Sequence, residues 1–225
     1  MTGTLALIGG GEFVATEELD RALLECAGSA SALVLPTADA FEHPERAVTR
    51  ATEWFERLGG AARGLPVLGR ADAFAPEHVT AVAESPLTYL VGDSPMHLRS
   101  VLKDTPLWEA LVSALAAGAV VAASGPAAMA LCDPMTDPRG GAFTLGLGLA
   151  RPMAVVPGAE AWSHDRLHRT LGLGLAFPVV TLPTGAAVLR RPGGWERHGD
   201  AVVYLAGAEV DLDALPLGEA PVTTP

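Results

Sequence analysis

The chain has 225 residues, 49% of them hydrophobic, which is enough to bury a large core and argues against a disordered protein. Its 26 acidic and 15 basic residues give a formal net charge of −11 at pH 7. This charge opposes binding to phosphate backbones and to anionic lipid, so neither nucleic acid nor a membrane surface is expected as a partner.

The cysteine content and the N-terminus both favour a cytoplasmic protein. Cys26 and Cys132 provide no disulfide framework and no CxxC-type metal spacing. The N-terminal segment lacks the basic region and the long apolar stretch of an export signal, and instead predicts a short strand before a glycine cluster. The scattered histidines have no metal spacing, so no metal and no other cofactor is expected.

Short β-like runs alternate with helical stretches along the chain, which is the order that builds a parallel sheet covered on both faces. The expected strands are 5–8, 32–36, 62–68, 87–91, 119–123 and 153–156, and a hairpin is expected between 186–190 and 201–205. The expected helices are 17–27, 44–58, 76–84, 108–117, 127–131 and 163–171.

The uncharged run 110–132 is about as long as a membrane span. Gly118 and the sequence Ser124-Gly125-Pro126 interrupt it, so it divides into a helix end, a buried strand, a tight turn and a second helix. We therefore expect one domain over residues 1–208, followed by a C-terminal tail over 209–225.

Four loops that follow these strands resemble, in order and spacing, the G-G-G, P-T-A, R-x-D-A and G-G-D motifs of the cyanophycinase and peptidase E family. The four are Ile8-Gly9-Gly10-Gly11-Glu12, Val34-Leu35-Pro36-Thr37-Ala38, Arg70-Ala71-Asp72-Ala73 and Leu90-Val91-Gly92-Asp93. Further on, Gly146-Leu147-Gly148-Leu149 and Arg166-Leu167-His168-Arg169 are similar to the family's G-L-G-L and R-L-x-R-L. The resemblance covers nearly the whole chain.

The resemblance implies a class I glutamine amidotransferase-like α/β fold, in which a mainly parallel sheet is flanked by helices on both faces. It also implies serine-nucleophile hydrolysis of a small peptide or amide. Glu12 and Asp93 match the family and are expected to line the substrate cleft, although a carboxylate beside a glycine turn also serves as a backbone acceptor. The oligomeric state is left open, with a homodimer as one state to consider.

Ser124 is the candidate nucleophile, because it follows a buried apolar strand and has small neighbours at a sharp strand-to-helix turn. In that arrangement the N–H of Gly125 and the loop at Gly92 and Asp93 are the expected oxyanion donors. The family pattern G-x-S-A-G-A is not reproduced, and counting from Gly118 places Gly125 in the serine position instead. A further alternative is that Ser124 caps the following helix.

The candidate base is His164. The family's D-x-H-F motif falls on 158–161, which puts Glu160 where the family has its histidine. His164 lies one helical turn later, and Glu160 or Asp165 would orient it. In the alternative interpretation His164 is a polar first-turn residue of a helix that Ser163 caps.

The family's acidic residue in the next strand corresponds to Thr181 or Leu182, and neither side chain is able to hold an imidazole through charge. Two functions therefore stay open. The first is a serine hydrolase of a small peptide or amide, and the second is a catalytically lapsed relative that keeps the cleft to bind a small molecule or a partner.

Overall fold

The structure, a computed structural model, describes residues 2–217. Within that range the helices are α1 (Glu17–Ala27), α2 (Pro44–Arg57), α3 (Pro76–Ala83), α4 (Pro95–Leu102), α5 (Pro106–Ala117), α6 (Pro126–Leu131) and α7 (His164–Leu173). The strands are β1 (Thr4–Ile8), β2 (Ser31–Leu35), β3 (Ala61–Gly64), β4 (Leu87–Leu90), β5 (Val120–Ser124), β6 (Met135–Thr136), β7 (Phe143–Thr144), β8 (Ala154–Pro157), β9 (Val179–Leu182), β10 (Ala187–Arg191), β11 (Gly194–His198), β12 (Val202–Leu205) and β13 (Ala208–Val210).

The larger sheet has seven strands in the order β11-β10-β1-β5-β4-β2-β3. The five strands from β1 to β3 in this order are parallel, and β10 pairs antiparallel to β1. The predicted α/β fold with a mainly parallel sheet is therefore confirmed.

Helices cover both faces of this sheet, as predicted. Along β1, Ala6 and Ile8 belong to one core cluster, while Leu5 and Leu7 belong to the other, because successive side chains of a strand point to opposite faces. The first cluster includes buried residues of α1 and α2, and the second includes buried residues of α3, α4, α5 and α6.

The predicted hairpin between 186–190 and 201–205 is wrong. Strand β10 instead turns back at Pro192-Gly193 and pairs with β11, with Arg191 opposite Gly194. A two-residue loop of this kind closes a hairpin directly, which leaves β12 free to join a different sheet. That second sheet has the order β13-β12-β9-β8, in which β8 and β9 are parallel.

The expected tail begins inside this second sheet. Strand β13 pairs with β12, and the expected boundary at residue 208 falls at the first residue of β13. Leu215 is 4% exposed, and the indole N–H of Trp195 donates to the Pro216 carbonyl at 2.9 Å. Packing thus extends at least to Pro216, while 218–225 lie outside the described residues.

The uncharged run 110–132 divides as predicted into the end of α5, strand β5 and helix α6. In the part of the chain that the structure describes, no helix has both the length and the apolar character needed to cross a bilayer.

A carboxyl group is buried between α1 and α2. Asp20 is 0% exposed, and its Oδ2 accepts hydrogen bonds from the Thr16 hydroxyl at 2.6 Å and from the Trp54 indole N–H at 2.8 Å. Burial raises the pKa of Asp20 to about 6, since desolvation disfavours its charged form and these two hydrogen bonds only partly offset the effect.

This carboxyl should make the protein less stable as the pH rises. Because the folded-state pKa of about 6 lies above the usual 3.8, the folded protein holds this proton more tightly than the unfolded chain does. Stability is therefore lost as the pH rises from about 3.8 to about 6, and the loss is complete above the folded-state pKa. We expect Asp20→Asn, which keeps an acceptor for both donors, to gain about 2 kcal/mol relative to the parent between pH 4.5 and pH 8.

Urea denaturation of both proteins at the two pH values measures this difference. Asp200→Asn, at an exposed position, changes the net charge equally and serves as the control. Parallel pH profiles for Asp20→Asn and the parent would contradict the assignment.

Candidate functional site

The carboxyl ends of β1, β4, β5 and β8 meet around a cleft of about 380 Å³, a volume within the range of small-molecule sites. A parallel sheet places such a cleft here because the loops after its strands gather at one edge. The residues that line it are Gly9, Gly10, Gly11, Glu12, Gly92, Asp93, Ser124, Gly125, Pro126, Pro157, Gly158, Ala161 and Trp162.

The glycine loop after β1 joins the two sheets. The carbonyl of Gly9 accepts the N–H of Gly158 at 2.8 Å, and the carbonyl of Gly10 accepts the N–H of Gly185 at 3.0 Å. A Cβ on Gly9 would lie 2.1 Å from the Pro183 carbonyl oxygen, so only glycine permits this approach. The loop thereby holds β1 against the end of β8.

The loop after β4 is fixed by a carboxylate. Gly92 has φ 121°, and a Cβ there would lie 2.4 Å from the Asp39 nitrogen. The N–H of Asp93 donates to Asp39 Oδ1 at 3.0 Å. Burial raises the pKa of Asp39, and the nearby Asp93 charge raises it further. Because it donates to Asp39, the N–H of Asp93 is engaged within the protein.

Ser124 is the last residue of β5 and is 1% exposed. Its hydroxyl donates to Glu12 Oε2 at 2.8 Å. It does not cap the next helix: the residue at the N-cap of α6 is Gly125, and Pro126 is the first residue of that helix. The structure thus pairs Ser124 with a carboxylate from the glycine loop.

The strained residue of the turn is Gly125, at φ 58° and ψ −138°. Glycine adopts this region readily, whereas other residues do so only under strain. In a nucleophile elbow the nucleophile occupies the strained strand-to-helix turn, and the following N–H donates to the oxyanion. Gly125 has no side chain, and Pro126 has no N–H. The torsions therefore match the register in which Gly125 takes the serine position.

The N–H of Gly125, an expected oxyanion donor, is engaged in a backbone hydrogen bond. It donates to the Ile8 carbonyl at 3.0 Å, continuing the pairing of β1 with β5. If Ser124 were the nucleophile, the next N–H along the chain would therefore already be engaged in the sheet.

The structure does not bring His164 or Glu160 to Ser124. The His164 side chain is 94% exposed, stacks on His168 and lies 3.8 Å from Asp165. It occupies the first turn of α7, whose N-cap Ser163 accepts the N–H of Arg166, as the alternative interpretation predicted.

Glu160 lies in a short 3₁₀ turn after β8, on the exposed surface. Its carboxylate accepts the Thr184 N–H at 3.1 Å and also the Thr184 hydroxyl. The hydroxyl hydrogen bond lowers the pKa of Glu160. Its neighbours Gly158 and Ala161 line the cleft, but Glu160 itself does not.

Sequence reasoning missed two features of the cleft. It named Ser124 and Glu12 separately but did not pair them, although Ser124 lies opposite Ile8 at the end of β1. It also missed Trp162, which lines the cleft and whose ring centroid lies 3.5 Å from the Arg166 guanidinium carbon.

Another groove, of about 450 Å³, lies between α2 and the loops after β2 and β3, with Glu45 as the one ionisable residue of its lining. Over residues 2–217, no group of three or more His, Cys, Asp or Glu side chains is arranged to hold a metal ion.

Comparison with known proteins gives matches among solved structures. A peptidase from an acI-B1 Actinobacterium superposes with a TM-score of 0.81 and is 27% identical, over 93% of this chain and 93% of its own. A putative peptidase E protein from Listeria monocytogenes EGD-e superposes with a TM-score of 0.66 at 14% identity, over 91% of this chain and 99% of its own. The chain has the peptidase E-like fold.

The resemblance drawn from the loop motifs is thereby confirmed at the level of the fold, and the chain is a peptidase-like protein. No family model and no curated protein matches it.

The strained conformation at Gly125 can be tested by its effect on the stability of the protein. A Cβ on Gly125 meets no atom within 4 Å, so Gly125→Ala should cost only the backbone strain, about 1 to 3 kcal/mol. Gly92→Ala should cost more, because its Cβ would collide with the Asp39 backbone. Gly172→Ala, in α7 with open space, should be neutral or stabilising.

Chemical denaturation of the three variants gives the order of their free energies of unfolding. A Gly125→Ala protein as stable as Gly172→Ala would show that residue 125 does not hold the strained position.

Proposed function

We propose that this peptidase-like protein binds a small peptide or amide in the cleft and does not hydrolyse it. The observation that carries the proposal is the position of Gly125, which occupies the strained turn where an elbow presents its nucleophile. Glycine has no side-chain hydroxyl or thiol that could attack a carbonyl.

The rest of the acyl-transfer machinery is also altered. The residue after Gly125 is Pro126, which has no N–H to donate to an oxyanion. In the loop at Gly92 and Asp93, from which the second donor was expected, the N–H of Asp93 is bonded to Asp39. The candidate base His164 faces solvent. Each change alone would impair hydrolysis, and together they favour the lapsed relative over the enzyme.

The cleft itself has the features of a binding site. Its volume suits a ligand the size of a dipeptide, and Trp162 and Pro157 supply an apolar wall. Glu12 and Asp93 add two polar anchors at opposite loops. Loss of the nucleophile leaves these binding contacts in place, because catalysis and ligand binding depend on different groups.

A serine hydrolase with an unusual base is the second candidate. The 2.8 Å hydrogen bond from Ser124 to Glu12 favours it, since a carboxylate within this distance is able to take the hydroxyl proton during attack. The attack would create an oxyanion, and the N–H that follows Ser124 is already bonded to Ile8. This candidate therefore lacks the oxyanion donor that the residue after the nucleophile supplies in an elbow.

A fluorophosphonate probe separates the two candidates. We expect Ser124 to stay unlabelled between pH 5 and pH 9, because its hydroxyl is buried and no imidazole activates it. Intact-mass spectrometry should show no probe adduct on the parent and none on Ser124→Ala. A serine peptidase labelled in parallel verifies the probe.

Labelling of the parent that Ser124→Ala abolishes would contradict the proposal and support the hydrolase. If Glu12→Gln also abolished that labelling while His164→Ala did not, Glu12 would be its base.

A further inference from the structure

The ionisable groups of the cleft are all acidic. Among its lining residues, Glu12 and Asp93 are carboxylates, and none is Lys, Arg or His. Behind them, the Asp39 carboxylate is held by the N–H of Asp93. Arg166, which stacks on the cleft residue Trp162, donates to the Pro138 carbonyl outside the cleft lining. The charge that a ligand meets here is therefore negative.

Several hydrogen-bond donors around the cleft are already engaged. The hydroxyl of Ser124 donates to Glu12, and the N–H groups of Asp93 and Gly158 donate to protein oxygens. The two helices that begin at the cleft, α4 and α6, both start with proline, which removes a first-turn N–H from each. An anionic ligand would have to compete for these donors.

The carboxylates of the cleft, in contrast, are able to accept further hydrogen bonds. A carboxylate has two oxygens with about four lone-pair positions, and Ser124 uses one position on Glu12. The hydroxyl also fixes the direction of that carboxylate, as a partner hydrogen bond does for a ligand-binding side chain. Asp93 is exposed at the opposite loop, where its side chain is accessible to a ligand.

We propose that the cleft selects a small cationic ligand that carries an ammonium or guanidinium group, with Glu12 and Asp93 as its acceptors. Charge-assisted hydrogen bonds to carboxylates are stronger than neutral ones, and the −11 net charge of the protein draws cations toward it. This inference rests on the proposed function, since it names the chemistry of the ligand that the unreactive cleft would hold.

Three four-carbon probes test the proposal, since they have the same number of carbons and end groups of different charge. Putrescine has two ammonium groups, 1,4-butanediol has two hydroxyls, and succinate has two carboxylates. In calorimetric titrations at low salt, putrescine should bind at least about tenfold more tightly than either of the others. Raising the salt concentration should weaken putrescine binding, because screening reduces the attraction of exposed charges.

Variants of the two cleft carboxylates test where putrescine binds. Glu12→Gln and Asp93→Asn should each weaken the binding of putrescine at least about tenfold. Glu56→Gln, on the exposed face of α2, removes the same charge outside the cleft and should leave the affinity within about twofold. Because Asp93 is exposed, Asp93→Asn gives a result even if Glu12→Gln fails to fold.

Any of three results would overturn the inference. Putrescine and butanediol could bind with equal affinity, succinate could bind more tightly than putrescine, or Glu56→Gln could lose as much putrescine affinity as the two cleft variants. Succinate binding without any labelling of Ser124 by the fluorophosphonate would overturn the inference alone and leave the proposed function standing. Labelling of Ser124 would instead remove the proposed function on which it rests.

Discussion

The parallel pairing of β1 with β5 is the constraint on which the cleft depends. Ile8 lies opposite Ser124, and the N–H of Gly125 extends the ladder by one bond to the Ile8 carbonyl. The chain must then leave the sheet within one residue to begin α6, so Gly125 adopts a conformation suited to glycine. The same pairing brings the loop that carries Glu12 against the Ser124 hydroxyl.

The chemistry of the cleft follows from this backbone path. An N–H that completes a ladder is not available to an oxyanion, and a glycine at the strained turn offers no nucleophile. Pro95 and Pro126 begin the two helices at the cleft and remove further donors. The peptidase-like fold thus surrounds a cleft whose ionisable side chains are acceptors, which is consistent with function residing in the site and not in the sheet.

The sequence predicted the sheet well, because buried parallel strands form short apolar runs between helices of clear periodicity. It failed at the hairpin after β10, since the pairing of 201–205 depended on which sheet the segment joined. It left Ser124 and Gly125 unresolved because spacing alone does not give torsion angles. His164 could not be oriented either, since the direction of α7 over the second sheet is a tertiary property.

The position of Gly125 at the strained turn is tested most directly by a crystal structure that resolves the turn after β5. This structure should show a positive φ at Gly125, the Gly125 N–H on the Ile8 carbonyl, and the Ser124 hydroxyl within about 3 Å of Glu12. A structure with Ser124 at the strained position and its hydroxyl bonded to an imidazole would contradict the position of Gly125.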